Sequence, residues 1–254
     1  MFTNAIVRTP GRSIVEGLSN SKTLGLPNYK QAIIQHQSYI DALTKCGLDV
    51  HVLEPCEEYS DSTFVEDVAL ITPNCAIITR PGAPSRRGEV YEIEFVLKER
   101  FNNIEVIEAP GTIEGGDIMM VGDHYFIGLS ERTNLEGARQ IIQILKKYDM
   151  SGSTISLKKV LHLKTGLSYL EKNNLVVCGE FINDSCFEKY NSIEIPENES
   201  YAANCIWVNE SVIIPLGYPT AKQRIMNAGY TVIETDVSEF QKLDGGLSCL
   251  SLRY

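Results

Sequence analysis

Apolar and polar positions repeat along the chain in one order, and the order recurs five times. The second repeat is the clearest. Phe64-Val65-Glu66-Asp67-Val68-Ala69-Leu70-Ile71 reads as a strand, Thr72-Pro73-Asn74 as a turn, and Cys75-Ala76-Ile77-Ile78-Thr79-Arg80 as the return strand, which Pro81-Gly82 breaks. A helix is expected from about Ser85, with Val90, Ile93, Leu97 and Phe101 at helical spacing. Ile104-Glu105-Val106-Ile107-Glu108 alternates with period two and closes the unit as a short strand.

The third unit restarts at Glu114-Gly115-Gly116-Asp117. It pairs Ile118–Val121 with Tyr125–Gly128, places a helix behind a capping box Thr133-x-x-Glu136, and ends on Thr154–Leu157. That helix sets Ala138, Ile141, Ile142 and Leu145 on one face. The fourth unit runs from Val160-Leu161-His162 through Leu167–Leu170 and Leu175–Cys178 to Ile193–Ile195, with a weak helical region near Phe187. The fifth has Asn204–Val208, Val212–Ile214, a helix opened by Pro219, and Thr231–Glu234. The first is split. Ala5–Arg8 is its return strand, Asn28–Cys46 its helix and Asp49–Leu53 its third strand, so its missing strand should come from the C-terminal run that holds Cys249. Repeats of this size, closed by pairing the two chain ends, predict an α/β fold: a five-unit pseudo-symmetric α/β propeller of hairpin-helix-strand repeats. Residues 1–254 are expected to form a single catalytic domain.

Composition narrows the function. At 43% hydrophobic and 22% charged, the chain is ordinary for a globular protein. Apolar runs stop at about six residues, far short of the ~20 that span a bilayer. Residues 1–8 read as a strand rather than a secretory leader. Seven Cys at irregular spacing argue against a disulfide framework or a zinc knuckle, and for a reducing, cytoplasmic setting. A formal charge of −10 disfavours nucleic acid and anionic membrane surfaces as partners, and suits a cationic small molecule. The flat sides of a ring would suit a homodimer.

The chemistry-bearing residues share one slot, at or near the entry to each unit's first strand. It holds Glu66 and Asp67, then Glu114 and Asp117, then His162, then Asn204 and Cys205, then Asp244 and Cys249. In a ring these entries converge on the axis. Carboxylates, one His and one Cys at a common point make a nucleophilic site rather than a core, because buried carboxylates are costly unless paired. Cys249 follows a glycine pair that lets a ligand approach the backbone closely, which favours it as the nucleophile. A lone Cys in an apolar run is ordinarily a small buried hydrophobe. Cys205 shares the slot and is taken as structural. His162 is the base, and Glu114 is the best candidate to orient it, with Asp117 reserved for backbone or turn donors.

At these residues the chain resembles the dimethylarginine dimethylaminohydrolase family, especially its bacterial form. The segments that carry the likeness are Phe64–Asp67, Arg80–Arg87, Glu114–Asp117, Arg132–Asn134, Leu161–Lys164, Ala202–Cys205 and the stretch around Cys249. Together they span the whole length. The resemblance implies a five-unit propeller that hydrolyses Nω-methylated arginines to citrulline and a methylamine, with no cofactor and no metal. It places the nucleophile on Cys249, the acid/base on His162 and its orienting carboxylate on Glu114, where relatives often carry Asp. It places guanidinium contacts on Asp61, Glu66 and Asp67, carboxylate contacts on Arg86 and Arg132, and contacts to the amino acid end near Leu18 and Leu243. Residues 11–26 would be the lid. Two other readings remain: an arginine or agmatine deiminase with the same triad, and a non-catalytic binding protein of the same fold, which would need neither Cys249 nor His162.

Overall fold

The computed structural model describes residues 1–20 and 22–254. Five three-stranded sheets follow one plan, an antiparallel hairpin whose return strand then pairs in parallel with a third strand. β1 (Asn4–Arg8) pairs in parallel with β2 (Asp49–Leu53) across α1 (Tyr29–Lys45). β3 (Ala69–Ile71), β4 (Ala76–Ile78) and β5 (Ile104–Val106) form the second sheet, with α2 (Val90–Lys98) in the crossover. β6 (Ile118–Val121), β7 (His124–Leu129) and β8 (Ser151–Ser156) form the third, with α3 (Leu135–Lys147). β9 (Leu167–Tyr169), β10 (Asn174–Val177) and β11 (Asn191–Glu194) form the fourth. β12 (Ile206–Val208), β13 (Ser211–Pro215) and β14 (Thr231–Thr235) form the fifth, with α4 (Pro219–Asn227). A short helix α5 (Ser238–Gln241), which the pattern did not announce, leads to the C-terminal strand β15 (Leu252–Arg253).

The ends close the ring as expected. β15 pairs antiparallel with β1 through Ala5↔Arg253 and Ile6↔Leu252. Tyr39 of α1 fixes this junction, with its hydroxyl 2.9 Å from the Leu247 carbonyl and 2.7 Å from Ser251 Oγ. The pairing completes the split first unit with strands from both ends of the chain.

The core lies between each sheet and its helix. α3 turns Ala138, Ile141, Ile144 and Leu145 onto Ile118, Tyr125 and Ile127 of its sheet. Each such large apolar side chain contributes about 1.5–3 kcal/mol when fully buried. Three local expectations shift. The cap of α3 is Asn134, whose side chain accepts from Gly137 N, rather than Thr133. The fourth unit has no α-helix, only 3-10 turns at Gly179–Phe181 and Ser185–Phe187. There Gly179 and Asn183 take positive φ and break any helical run, while buried Phe181 and Phe187 fill the space against Phe126 and Tyr190. Finally, a 3-10 turn stands in front of each first strand, and in the second unit it takes up Val65–Val68, which the apolar run had assigned to the strand.

Candidate active site

Those turns carry the shared slot. They are Val65–Val68 with Glu66 and Asp67, Gly115–Asp117 behind Glu114, Leu163–Thr165 behind His162, Glu197–Ala203 ahead of Asn204, and Ser248–Leu250 with Cys249 at its centre. Neighbouring turns touch around the axis, and Asn204 joins the last pair by accepting from Ser248 N at 3.0 Å. Cys249 therefore sits in a turn, not on the strand that its apolar run suggested. The tight turn explains the placement. A strand sends alternate side chains to opposite faces, whereas a 3-10 turn can aim successive residues toward the axis.

The axis has two sides. On one, a cleft is lined by Cys249, His162, Glu114, Asp67, Asp61, Arg86, Arg132, Leu18 and Leu243, with Phe64, Leu161 and Asp244. On the other lies a separate cavity, and Glu66 lines that one instead. The Glu66 carboxylate takes an ion pair from Lys164 and a hydrogen bond from Ser248 Oγ at 2.9 Å. Glu66 was expected at the substrate guanidinium; in this structure it lines the opposite cavity and not the cleft. Its oxygens are already engaged beneath Cys249.

His162 Nε2 lies 2.9 Å from Glu114 Oε2. The His162 side chain keeps 12% of its surface exposed, and Glu114 keeps 1%. Gly116 makes room for the ring, since a Cβ there would fall 2.8 Å from His162 Nδ1. Burial disfavours the imidazolium, but the Glu114 hydrogen bond and the charges of Asp67 and Asp117 outweigh it, and the His162 pKa rises to about 9. The Cys249 thiol moves the other way from a thiolate. Burial, with the negative charges of Glu66 and Asp67, pushes it up to about 12, against the Gly246 N–H and Lys164. Both shifts favour an imidazolium on His162 and a protonated thiol on Cys249.

Asp67 faces the same cleft. Its burial would raise the carboxyl, but Arg86 and His162 more than offset that and hold it ionised. Arg86 is 5% exposed and largely committed to the protein. Nη1 reaches Asp67 at 2.6 Å, Nε and Nη2 fork onto Glu89, and Nη2 also meets the Phe64 carbonyl at 2.9 Å. Arg132 is freer, 20% exposed in its side chain and 3.7 Å from Glu114.

At the outer end, Asp61 accepts from Leu18 N at 3.0 Å. Burial raises the Asp61 carboxyl, partly countered by Arg86. Of the expected lid, residues 11–26, Leu18, Ser19 and Asn20 line the cleft, and Ser21 is outside the described residues. Glu57 holds the lid's start through Arg12 N and Ser13 N, and Asp244 accepts from Asn20 N. Leu243 packs closely on Gly17, where a Cβ would fall 2.8 Å from Leu243 Cδ1.

The family described as N,N dimethylarginine dimethylhydrolase, eukaryotic, matches residues 22–251. The chain is 58% identical, over the full length of both, to the N(G),N(G)-dimethylarginine dimethylaminohydrolase of Pseudomonas aeruginosa. It belongs to the dimethylarginine dimethylaminohydrolase family. The corresponding enzyme of Streptomyces coelicolor is 30% identical over 98% of this chain and 96% of its own. The structure superposes with a TM-score of 0.99, over all of both chains, on that of a cysteine-to-serine mutant of the Pseudomonas aeruginosa protein complexed with citrulline.

Within this family frame, several residues of the site had weak or no sequence signals. Glu89 was visible only as an acid three positions after Arg86. Lys164 lay inside a recognised segment but had no assigned partner. Thr133, read as a cap, instead accepts from Glu114 N at 3.2 Å. Asp117 does bind donors of backbone and turn, Leu163 N at 3.0 Å and Ser130 Oγ at 2.6 Å. Cys205 is buried and borders the opposite cavity. The side-chain oxygens and nitrogens of Asp67, Glu114 and His162 lie within 4.8 Å of one another, a spacing at which a metal ion has to be weighed. Each already has a protein partner, Arg86 for Asp67 and the mutual bond for the other two. No described helix is long and apolar enough to cross a membrane.

Proposed function

We propose that this protein hydrolyses Nω,Nω-dimethyl-L-arginine, and the monomethyl compound, to L-citrulline and dimethylamine or methylamine, within one catalytic domain spanning residues 1–254. The observation that carries the reading is one cleft holding a buried Cys249, the His162–Glu114 pair, the carboxylates of Asp67 and Asp61, and the cation of Arg132. Such a cleft suits a zwitterionic amino acid with a cationic head. The full-length relative seen with citrulline supports the same product.

The substrate's guanidinium is assigned to Asp67 and its carboxylate to Arg132; Asp61, expected at the guanidinium, bonds Leu18 N at the outer end and is assigned instead to the amino group, with the backbone near Leu18 and Leu243. Arg86 serves chiefly by fixing Asp67, with its remaining Nη1 donor for substrate. A guanidinium carbon is a poor electrophile, and forked hydrogen bonds donated by its N–H groups to a carboxylate localise charge on the nitrogens. The entering cation also favours the Cys249 thiolate, since opposite charge lowers a thiol pKa. The thiol's proton leaves to solvent as the cationic substrate enters, and the thiolate adds to the carbon. His162, as imidazolium, protonates the departing amine and leaves an S-alkyl thiouronium. Neutral His162 then takes a proton from water, whose oxygen adds to the same carbon; the adduct's hydroxyl proton passes to the departing sulfur as the C–S bond breaks, releasing citrulline and restoring the Cys249 thiol and the imidazolium. Glu114 supports the imidazolium in the first half. A cytoplasmic home fits the seven unpaired cysteines.

Product analysis tests the reading. Pure protein is incubated separately with asymmetric dimethylarginine and with arginine, and citrulline is assayed together with dimethylamine or ammonia. Citrulline and dimethylamine in equal amounts are expected. Citrulline and ammonia from arginine, with no turnover of the dimethylated compound, would make the protein a deiminase.

A further inference from the structure

Asp117 is fully buried, and among the described residues no cation is bonded to it; burial raises its carboxyl against the charge of His162. A carboxylate in that position is costly unless both oxygens find donors. Oδ1 accepts from Leu163 N at 3.0 Å, directly after His162. Oδ2 accepts from Ser130 Oγ at 2.6 Å. Ser130 Oγ in turn accepts from Arg132 N at 3.0 Å and Thr133 N at 3.1 Å. Thr133 Oγ1 then receives Glu114 N at 3.2 Å, and Glu114 begins the turn that ends at Asp117. The hydrogen bonds form a closed circuit through the base's turn, the base's carboxylate partner and the loop that bears Arg132.

We propose that Asp117 is a positioning residue that holds His162 and Arg132 in register with each other, so that one buried carboxylate ties the acid/base to the substrate's carboxylate anchor. The proposal rests on the roles given above to His162 and Arg132. The chemistry explains why the residue is Asp. Ser130 Oγ has both lone pairs taken by Arg132 N and Thr133 N, so its proton must go to Asp117. Leu163 offers only an N–H. The site therefore requires an acceptor on both sides. An Asn can satisfy one side, but its NH₂ must then face either Leu163 N–H or a saturated hydroxyl oxygen.

The charged groups around His162 are Glu114, Asp67 and Asp117, with Arg86, Arg132 and Cys249 in the same cleft. Glu114 remains in D117N, so the effect of that variant is expected mainly in geometry. Misplacement on the order of 1 Å costs about 100-fold in rate. D117N should therefore lower kcat about 100-fold and raise KM, while S130A, which unties the Arg132 loop and leaves Asp117 Oδ2 without its donor but keeps the Leu163 contact, should act mainly on KM and lower kcat less than D117N does. Amide hydrogen exchange supplies a readout free of any substrate. In the wild type the Leu163, Arg132 and Thr133 amides should be protected. In S130A the last two should exchange faster while Leu163 stays slow. That arm stands even if D117N does not fold. Unprotected Leu163 in the wild type, or D117N kinetics within twofold of wild type, would overturn the proposal. Loss of the dimethylarginine activity itself, with the exchange pattern intact, would count against the proposed reaction and not against this circuit.

Discussion

His162 Nε2 and Glu114 Oε2 lie 2.9 Å apart, and the hydrogen bond runs between a 12%-exposed imidazole and a fully enclosed carboxylate. The bond keeps His162 protonated well above the range of a free histidine, to about 9, despite its burial. Replacing Glu114 by Gln removes the charge and keeps the shape. The folded His162 pKa should then fall, because the imidazolium loses its partner. The first half-reaction needs the imidazolium, so the alkaline limb of kcat should move to lower pH. A pH–rate profile of Glu114→Gln with an unshifted alkaline limb would show that His162 is not the acid.

Cys249 rests as a thiol because burial and two nearby carboxylates raise it to about 12. Substrate charge should reverse this. Titrating the protein with an unreactive alkylguanidinium at fixed pH near 8 is expected to increase thiolate absorbance, and Cys249→Ser should abolish the increase. Equal thiolate absorbance with and without the cation would contradict substrate-assisted ionisation.

Beneath Cys249, Lys164 and Glu66 form an ion pair 16% and 7% exposed in their side chains. Removing one partner of a buried pair strands the other and costs about 3–5 kcal/mol. Lys164→Met should lose stability on that scale in urea denaturation, while Lys164→Met combined with Glu66→Gln recovers part of it. No recovery in the double variant would mean that the two side chains are not coupled.

The buried His36 gives the fold an acid-sensitive point. Burial lowers its pKa to about 4, and its Nε2 finds no partner among the described residues. Between pH 6.5 and about 4 the unfolded chain binds a proton that the folded one refuses. Stability from this group is therefore present above 6.5 and lost as pH falls, by on the order of 3 kcal/mol in all. His36→Leu should unfold at lower pH than wild type in an acid titration followed by circular dichroism.

The ring was legible because each unit repeats the same apolar order, and because Ala5–Arg8 lacks a partner that only the C-terminal run could supply. The convergence of Glu114, His162 and Cys249 was legible for the same reason, as a shared slot in the repeat. The side of the axis each residue faces was not. Glu66 and Asp67 are neighbours in sequence, but one binds Lys164 below the nucleophile and the other Arg86 in the cleft. That difference depends on which partners the other turns present. The cap of α3 was misread because Thr133 and Asn134 are both capping residues, and the demand of Glu114 N for an acceptor claims Thr133. The fourth helix failed for a local reason, the left-handed residues at 179 and 183.

The central claim is that the guanidinium carbon becomes bonded to Cys249. Turnover of asymmetric dimethylarginine is stopped with acid in the steady state, and the intact and digested protein is weighed by mass spectrometry. The account predicts a covalent adduct on the peptide that contains Cys249, with the mass of the substrate less dimethylamine, and none in Cys249→Ser. Full turnover by Cys249→Ser, or an adduct on another of the seven cysteines, would contradict it.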